Sequence, residues 1–403
     1  MYCKSPKKTG AFASLRKILD REKKMNNMKR IGVLLLFLAG CVARPMAPVT
    51  PAHFAYVTNE GDNTVMQVDL EAGRVLKTLP TGKVPHALVF NHGNKLYVNN
   101  RGERSLTVID TAAMTVLKTI PLPARSIQFA LSPDGKTLAV GYRDALKITL
   151  IDTATDTILR NIDIGADQPG RKLVRIKHPF WSRDGRFVYA GDNLNRTVVK
   201  IDAANRRVVA TIPIHATVHH FLNAPDGTIY VFQGKNDEGG LGVTVLDAAS
   251  DRIIKTIPIP LAPGEKAFGH HGKFTADGRF CYVCNEGGRT LAIIDTATLT
   301  VVKTLQVGQG AGHTFFSRDG KYAFVICHHD NVVSVIDTAT QQVIKNIPVG
   351  RGKKEGHSGY IATDGSFYML NAADGTINRI NGKSLTLQSQ IKIGTRPMIM
   401  VIH

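Results

Sequence analysis

Along most of the chain, apolar and polar residues alternate at a period of two, and turn residues interrupt them every few positions. Four segments show the pattern: LTVIDTAAMTVLKTIPL from Leu106, ITLIDTATDTILRNIDIG from Ile148, LAIIDTATLTVVKTLQVG from Leu291 and VSVIDTATQQVIKNIPVG from Val333. Each rises through β-branched residues, turns at Asp-Thr-Ala, and alternates again, which is the pattern of a hairpin. The turn aspartates Asp110, Asp152, Asp202, Asp247, Asp295 and Asp337 are 42, 50, 45, 48 and 42 residues apart. Two further strands, joined at Asp-Gly or a close variant, precede each hairpin. The glycines of those turns are Gly93, Gly135, Gly185, Gly227, Gly278, Gly320 and Gly365.

Four antiparallel strands in each repeat of this length predict an all-β fold, a β-propeller built of four-stranded blades. Helical solenoids have similar repeat lengths, but their apolar positions recur at 3.6. Seven full units fill residues 83–394. Phe54–Gly82 supplies three strands of another unit, and Thr395–Ile402 supplies one. Together they predict an eighth blade shared by the N- and C-terminal segments, which closes the ring and removes open sheet edges. Eight blades are therefore favoured; seven is the alternative if the unit around Gly365 is degenerate.

The repeat covers residues 52–403, and a separate leader precedes it. MKRIGVLLLFLAGC, Met28–Cys41, has a basic start, a short apolar stretch and small residues at its end, the features of a secretion signal. Leu38-Ala39-Gly40-Cys41 resembles the bacterial lipoprotein lipobox, which implies a lipid on Cys41; an ordinary signal peptide is the alternative. Residues 1–41 are read as leader, with Met25 or Met28 as the true start, and 42–51 as a linker. No apolar run reaches the roughly 18 residues of a spanning helix. The expectation is an exported protein held to the membrane by its lipid. Val42 after the cysteine, by resemblance to bacterial sorting rules, favours the outer membrane over the inner.

The formal charge is +19. The leader holds ten Lys/Arg and two Asp/Glu, so 19 − 8 leaves +11 on the remainder. Such a chain can meet anionic membranes, nucleic acid or acidic ligands. Nucleic acid ranks last, because aromatic content is 7% and no basic patch is interleaved with stacking aromatics. Cys281 and Cys284 lie three apart in a strand and face opposite sides, so no bridge is expected between them. No Cys-x-x-Cys-His, Gly-x-Ser-x-Gly or His-Glu-x-x-His motif is present. NGKS at Asn381–Ser384 lacks the phosphate-loop glycine, having Ile377 in its place, and GQGAG at Gly308–Gly312 leads into a strand. Hydrolytic catalysis by those routes is not expected; whether the chain is an enzyme stays open, leaning against.

Tyr56-Val57-Thr58-Asn59 is identical to the repeat signature of the YVTN β-propeller proteins, and Tyr97-Val98-Asn99-Asn100 is a near copy. This resemblance implies the fold and an envelope location more than any activity. With eight blades and many histidines, the chain also resembles haem d1 propeller domains.

Counting seven residues back from each turn glycine reaches His86, Gln128, His178, His220, His271, His313 and Ser358. Met398 aligns with them at the C-terminus. His219, His270 and His357 stand one position earlier in their blades. All of these mark the start of a blade's innermost strand, at the mouth of the central channel. With His215, His328 and His329, eleven of the fourteen histidines map to that face. Neutral imidazoles converging there suit zinc, copper or iron; the alternative is histidines that merely cap strand carbonyls. Arg171, Lys172, Arg175 and Lys177 precede His178, Arg351, Lys353 and Lys354 precede His357, and Arg125 and Arg396 lead into other blades. Solvated loop charge is the plain account. Beside imidazoles, the same cations suit carboxylates of a haem-like tetrapyrrole.

The expected metal set is His86, His178, His220, His271 and His313. The expected set around a larger anionic cofactor is Arg175, Lys177, Arg396, His219, His270 and His357. Cys327-His328-His329 is weighed as a copper or zinc site, but a variable turn is preferred. The competing function is a non-catalytic scaffold or adhesion propeller that binds an envelope protein partner as a monomer.

Overall fold

The computed structural model describes residues 54–91, 93–165, 178–351 and 358–402. The described residues form thirty-two strands in eight four-stranded antiparallel sheets and contain no helix. Seven blades are continuous in sequence: blade 2 (85–121), blade 3 (126–163), blade 4 (180–213), blade 5 (216–259), blade 6 (269–306), blade 7 (311–348) and blade 8 (359–392). Blade 1 joins Phe54–Asn59, Thr64–Asp69 and Arg74–Pro80 to the C-terminal strand Pro397–Ile402, which pairs with Phe54–Asn59 through Tyr56↔Val401 and Val57↔Met400. The blade around Gly365 is complete, so the count is eight. Every second-to-third-strand turn opens on the face where the innermost strands begin; the Asp-Gly and Asp-Thr-Ala turns lie at the other end.

The period-two alternation understates how much of each blade is buried. Second strands such as Lys95–Asn100 and Tyr322–Cys327 are buried at five successive positions, whereas fourth strands such as Thr115–Pro121 bury only their penultimate residue. Neighbouring blades cover both faces of the middle strands, and solvent covers the rim. The cores accordingly straddle blades: Val57 and Leu70 of blade 1 pack with Tyr368, Leu370 and Ile391 of blade 8. Polar ties cross the same interfaces. The hydroxyl of Tyr97 in blade 2 bonds to Asp156 and to the Thr153 carbonyl (3.0 Å) of blade 3.

The aspartates of the hairpin turns organise their own loops. Asp110 Oδ1 accepts from the N–H groups of Ala112 and Ala113 at 2.8 and 3.0 Å, a side-chain mimic of a backbone turn. Cys281, Cys284 and Cys327 are buried free thiols. Burial pushes the Cys284 thiol up to about 12 and that of Cys327 up to about 11, so both are uncharged at neutral pH.

Candidate functional site

The innermost strands do not begin regularly, and this shapes the site. Register with the second strand slips between Val218 and His220, between Gly269 and Gly272, and between Ala311 and His313. Blades 2 and 3 slip at the same place, Pro85/Leu88 and Ser126/Gln128. Consecutive strand residues normally face opposite sides. A bulge breaks that rule, so His219 with His220, and His270 with His271, turn both rings into one cluster. His178, just before the short strand Phe180–Trp181, reaches it from a left-handed backbone (φ +47), uncommon for a non-glycine residue and a mark of functional sites.

The result is an arc of imidazoles on four successive blades. Ring centroids lie 4.2 Å apart for His220–His271, 4.3 Å for His271–His313, 4.4 Å for both His219–His270 and His270–His271, and 5.2 Å for His178–His271. His328 completes the far end, 5.0 Å from His270. Two trios each bring one ring nitrogen per residue within 4.8 Å of the others: His219–His270–His271 and His270–His313–His328. Two backbone carbonyls orient the rings. His219 Nδ1 lies 3.0 Å from the His270 carbonyl, and His270 Nδ1 lies 3.0 Å from the Gly312 carbonyl. A carbonyl only accepts, so both Nδ1 atoms carry the proton and both Nε2 atoms carry the lone pair; His270 Nδ1 also lies 2.8 Å from His271 Nδ1, which then accepts from it. Metal-ligating histidines are commonly held in this way.

Burial keeps three rings of the cluster, His220, His271 and His313, uncharged at neutral pH. Burial, with Lys273 a smaller cause, takes His220 down to about 3. Burial again, then the neighbouring imidazoles, holds His271 and His313 well below the ordinary range. His220 Nδ1 is buried without a hydrogen-bond partner, a cost that a bound cation would remove. Gly312 makes room for His328: a Cβ there would lie 2.1 Å from His328 Nε2.

The opposite wall has different chemistry. His86 Nδ1 donates to Glu60 Oε1 at 2.8 Å, and Arg101 and Arg396 approach Glu60 at 3.6 and 3.5 Å. Burial alone would raise Glu60, but the His86 hydrogen bond and the two arginine charges outweigh it and hold the carboxyl low. Between the two walls lies a cavity of about 260 Å³, lined by residues including Gln128, His178, His271, His313 and Glu286. A larger cleft of about 830 Å³ opens at the other end, between blades 4 and 5. Donor chemistry rather than size selects the smaller one: the buried Lys200 of the large cleft is already spent on Asp251 (2.6 Å) and the Ala248 carbonyl.

The expected residues therefore sort by wall. His178, His220, His271 and His313 come together, and His219 and His270, expected around a larger cofactor, join them as near neighbours. His86 lines the cavity but belongs to neither trio. Arg396 approaches Glu60 at 3.5 Å, on the His86 wall. Arg125 pairs with Asp144 at 2.8 Å, and exposed His215 lies 3.8 Å from Asp237. Met398 is buried, and Ser358 Oγ is bonded to the Met400 backbone. Arg175, Lys177 and His357 lie outside the described residues, as do Arg171, Lys172, Lys353, Lys354 and Cys41.

At Cys327-His328-His329, weighed as a copper or zinc site against a variable turn, the side chains part. Cys327 packs into the core with Leu305 and Ala311, while His328, pointing the other way, enters a trio. Sequence reasoning also missed Glu286, Glu60 and Arg101. With His328 they share one position, immediately after a second strand. Counting forward from Asn59, Asn100, Asn285 and Cys327 would have found all four.

Comparison with known proteins agrees with this architecture. A model described as a YNCE-like beta-propeller matches residues 57–179, and one described as the cytochrome D1 heme domain matches residues 235–363. The chain is similar to two propeller families. The second match spans His270, His271, His313 and His328. Among solved structures, dihydro-heme d1 dehydrogenase NirN in complex with DHE has a TM-score of 0.72 at 18% identity, over 89% of this chain and 77% of that one. Apo AztD from Citrobacter koseri has a TM-score of 0.61 at 13% identity, over 87% and 98%. Hydrazine synthase of Kuenenia stuttgartiensis has 0.55 at 22%, over 70% and 92%. At these identities the likeness is one of fold. No curated protein matches the chain by sequence.

Proposed function

We propose that this chain is an exported, lipid-anchored propeller that holds a transition-metal ion in the imidazole cluster at its channel mouth, for carriage or redox chemistry at the cell envelope. The observation that carries this reading is the pair of histidine trios with two Nε2 lone pairs oriented by backbone carbonyls. Nitrogen donors without a thiolate suit zinc or copper(II), and iron where carboxylate joins. A four-coordinate ion with bonds of about 2.0–2.1 Å needs its nitrogens about 3.4 Å apart, so the trios would close slightly on binding. His219, His270, His271, His313 and His328 would hold it, with His178 and His220 packed beside them. The ion would supply a Lewis-acidic or redox centre; the chain would supply imidazole ligands, an oriented tautomer and exclusion of water.

A haem-like tetrapyrrole is the second reading. It draws on the cytochrome D1 match and on NirN, whose solved complex contains DHE. One imidazole would meet iron, and Arg101 and Arg396 would face its carboxylates. The described cavity of about 260 Å³ lies below the usual ligand-pocket range of about 300–1,000 Å³, which favours the bare ion.

Metal analysis and an absorption spectrum of the full chain, purified in detergent, test both readings. Near-stoichiometric zinc or copper, lost in a His271→Ala/His313→Ala variant, supports the first. A Soret band after incubation with haem, lost in the same variant, supports the second. Protein that stays metal-free and colourless after exposure to zinc, copper and haem overturns both and leaves a scaffold propeller.

A further inference from the structure

The two trios share His270, which limits what they hold together. Its Nδ1 proton is shared between the Gly312 carbonyl at 3.0 Å and His271 Nδ1 at 2.8 Å, which leaves Nε2 as its ligand nitrogen. Bridging two ions would require stripping that proton and breaking the bond. The trios are therefore alternatives for one ion.

The offered nitrogen, His270 Nε2, lies 3.4 Å from Glu286 Oε2. The other carboxylate oxygen lies 3.4 Å from His328 Nδ1 and 3.8 Å from His329 Nε2. A proton shared by His270 Nε2 and the carboxylate, or a cation in its place, fits between them. About 3.4 Å is also the spacing of two ligands on one tetrahedral ion with bonds of about 2.0–2.2 Å. Exposure rises along the same line: side-chain exposure is 1% at His328 and 6% at His270, 20% at Glu286 and 39% at His329. Glu286 both lines the central cavity and touches the exposed imidazole.

Resting on the metal reading above, we infer that Glu286 and His329 form a port for a single divalent cation. The ion is taken up at His270–His313–His328 and passes to His219–His270–His271 by exchanging its other ligands while His270 stays bound. The negative charge at the port attracts the cation; the inner imidazole nitrogens retain it.

Cobalt(II) is the probe, because its absorption reports ligand number and geometry. Titration of the full chain is expected to end at one ion per chain. In stopped-flow mixing, Glu286→Gln and the exposed His329→Ala are expected to slow both association and release at least about tenfold, with the equilibrium constant held within about threefold. Two ions per chain would overturn the proposal. So would a Glu286→Gln affinity loss caused by faster release with unchanged association, since that marks Glu286 as a resident ligand. A wild-type chain that takes up no cobalt, zinc or copper removes the metal reading itself, whatever the variants do.

Discussion

At the scale of single residues, the site depends on small backbone decisions next to histidines. Gly312 is one: its missing Cβ admits His328, and its carbonyl sets the tautomer of His270. Gly312→Ala is expected to displace His328 and weaken metal binding about 10–100-fold, the usual cost of disturbing a ligand's support, while circular dichroism stays native. The low pKa values of His220, His271 and His313 have a second consequence. In the unfolded chain these imidazoles titrate near about 6.5. Below that pH the unfolded state binds more protons than the folded one, so stability falls as pH falls, and continues to fall until about 3 for His220. Metal-free protein is expected to lose stability to urea between pH 7 and pH 5, and a His220→Asn/His313→Asn variant to lose less. An identical slope in the two proteins would contradict the assignment. The histidines at the fixed offset from each turn glycine were legible in the sequence. Glu286 was not, because it reaches the cavity from a different offset, just after a second strand.

At the scale of elements, the repeat is a turn grammar laid over strands. Asp-Gly turns place glycines in the left-handed region, as at Gly135 (φ +73) and Gly320 (φ +71). Around Gly320 there is open space, so a methyl group meets no atom and only the backbone conformation resists. Gly320→Ala is expected to cost about 1 kcal/mol in denaturant unfolding and to leave metal binding unchanged. The hairpins were legible because their turn chemistry is local. The bulges were not: Gly269-His270-His271-Gly272 reads as an ordinary strand start, and only pairing with Phe280–Asn285 shows the slipped register. That slip decides whether two adjacent histidines face one cavity or opposite sides.

At the scale of the whole molecule, closure is the organising event. Pro397–Ile402 is the innermost strand of blade 1 and buries Met398 and Met400. Removing residues 395–403 would forfeit about 3–6 kcal/mol of burial from those two side chains alone. It would also open the inner edge of Phe54–Asn59 to pairing with other chains. The truncated protein is expected to unfold at lower urea and to elute as oligomers in size-exclusion chromatography. A monodisperse product with the parental midpoint would argue that blade 1 is dispensable. The amino-acid sequence by itself determined the repeat, the eight-blade closure and the line of histidines at strand starts, because period-two patterning and turn residues act over a few positions. Tertiary structure alone decided that this line is an arc facing a Glu–His–Arg wall. It also decided that His270 is shared and that Glu286 stands beside it, because those relations join blades whose distance in space depends on how the ring closes.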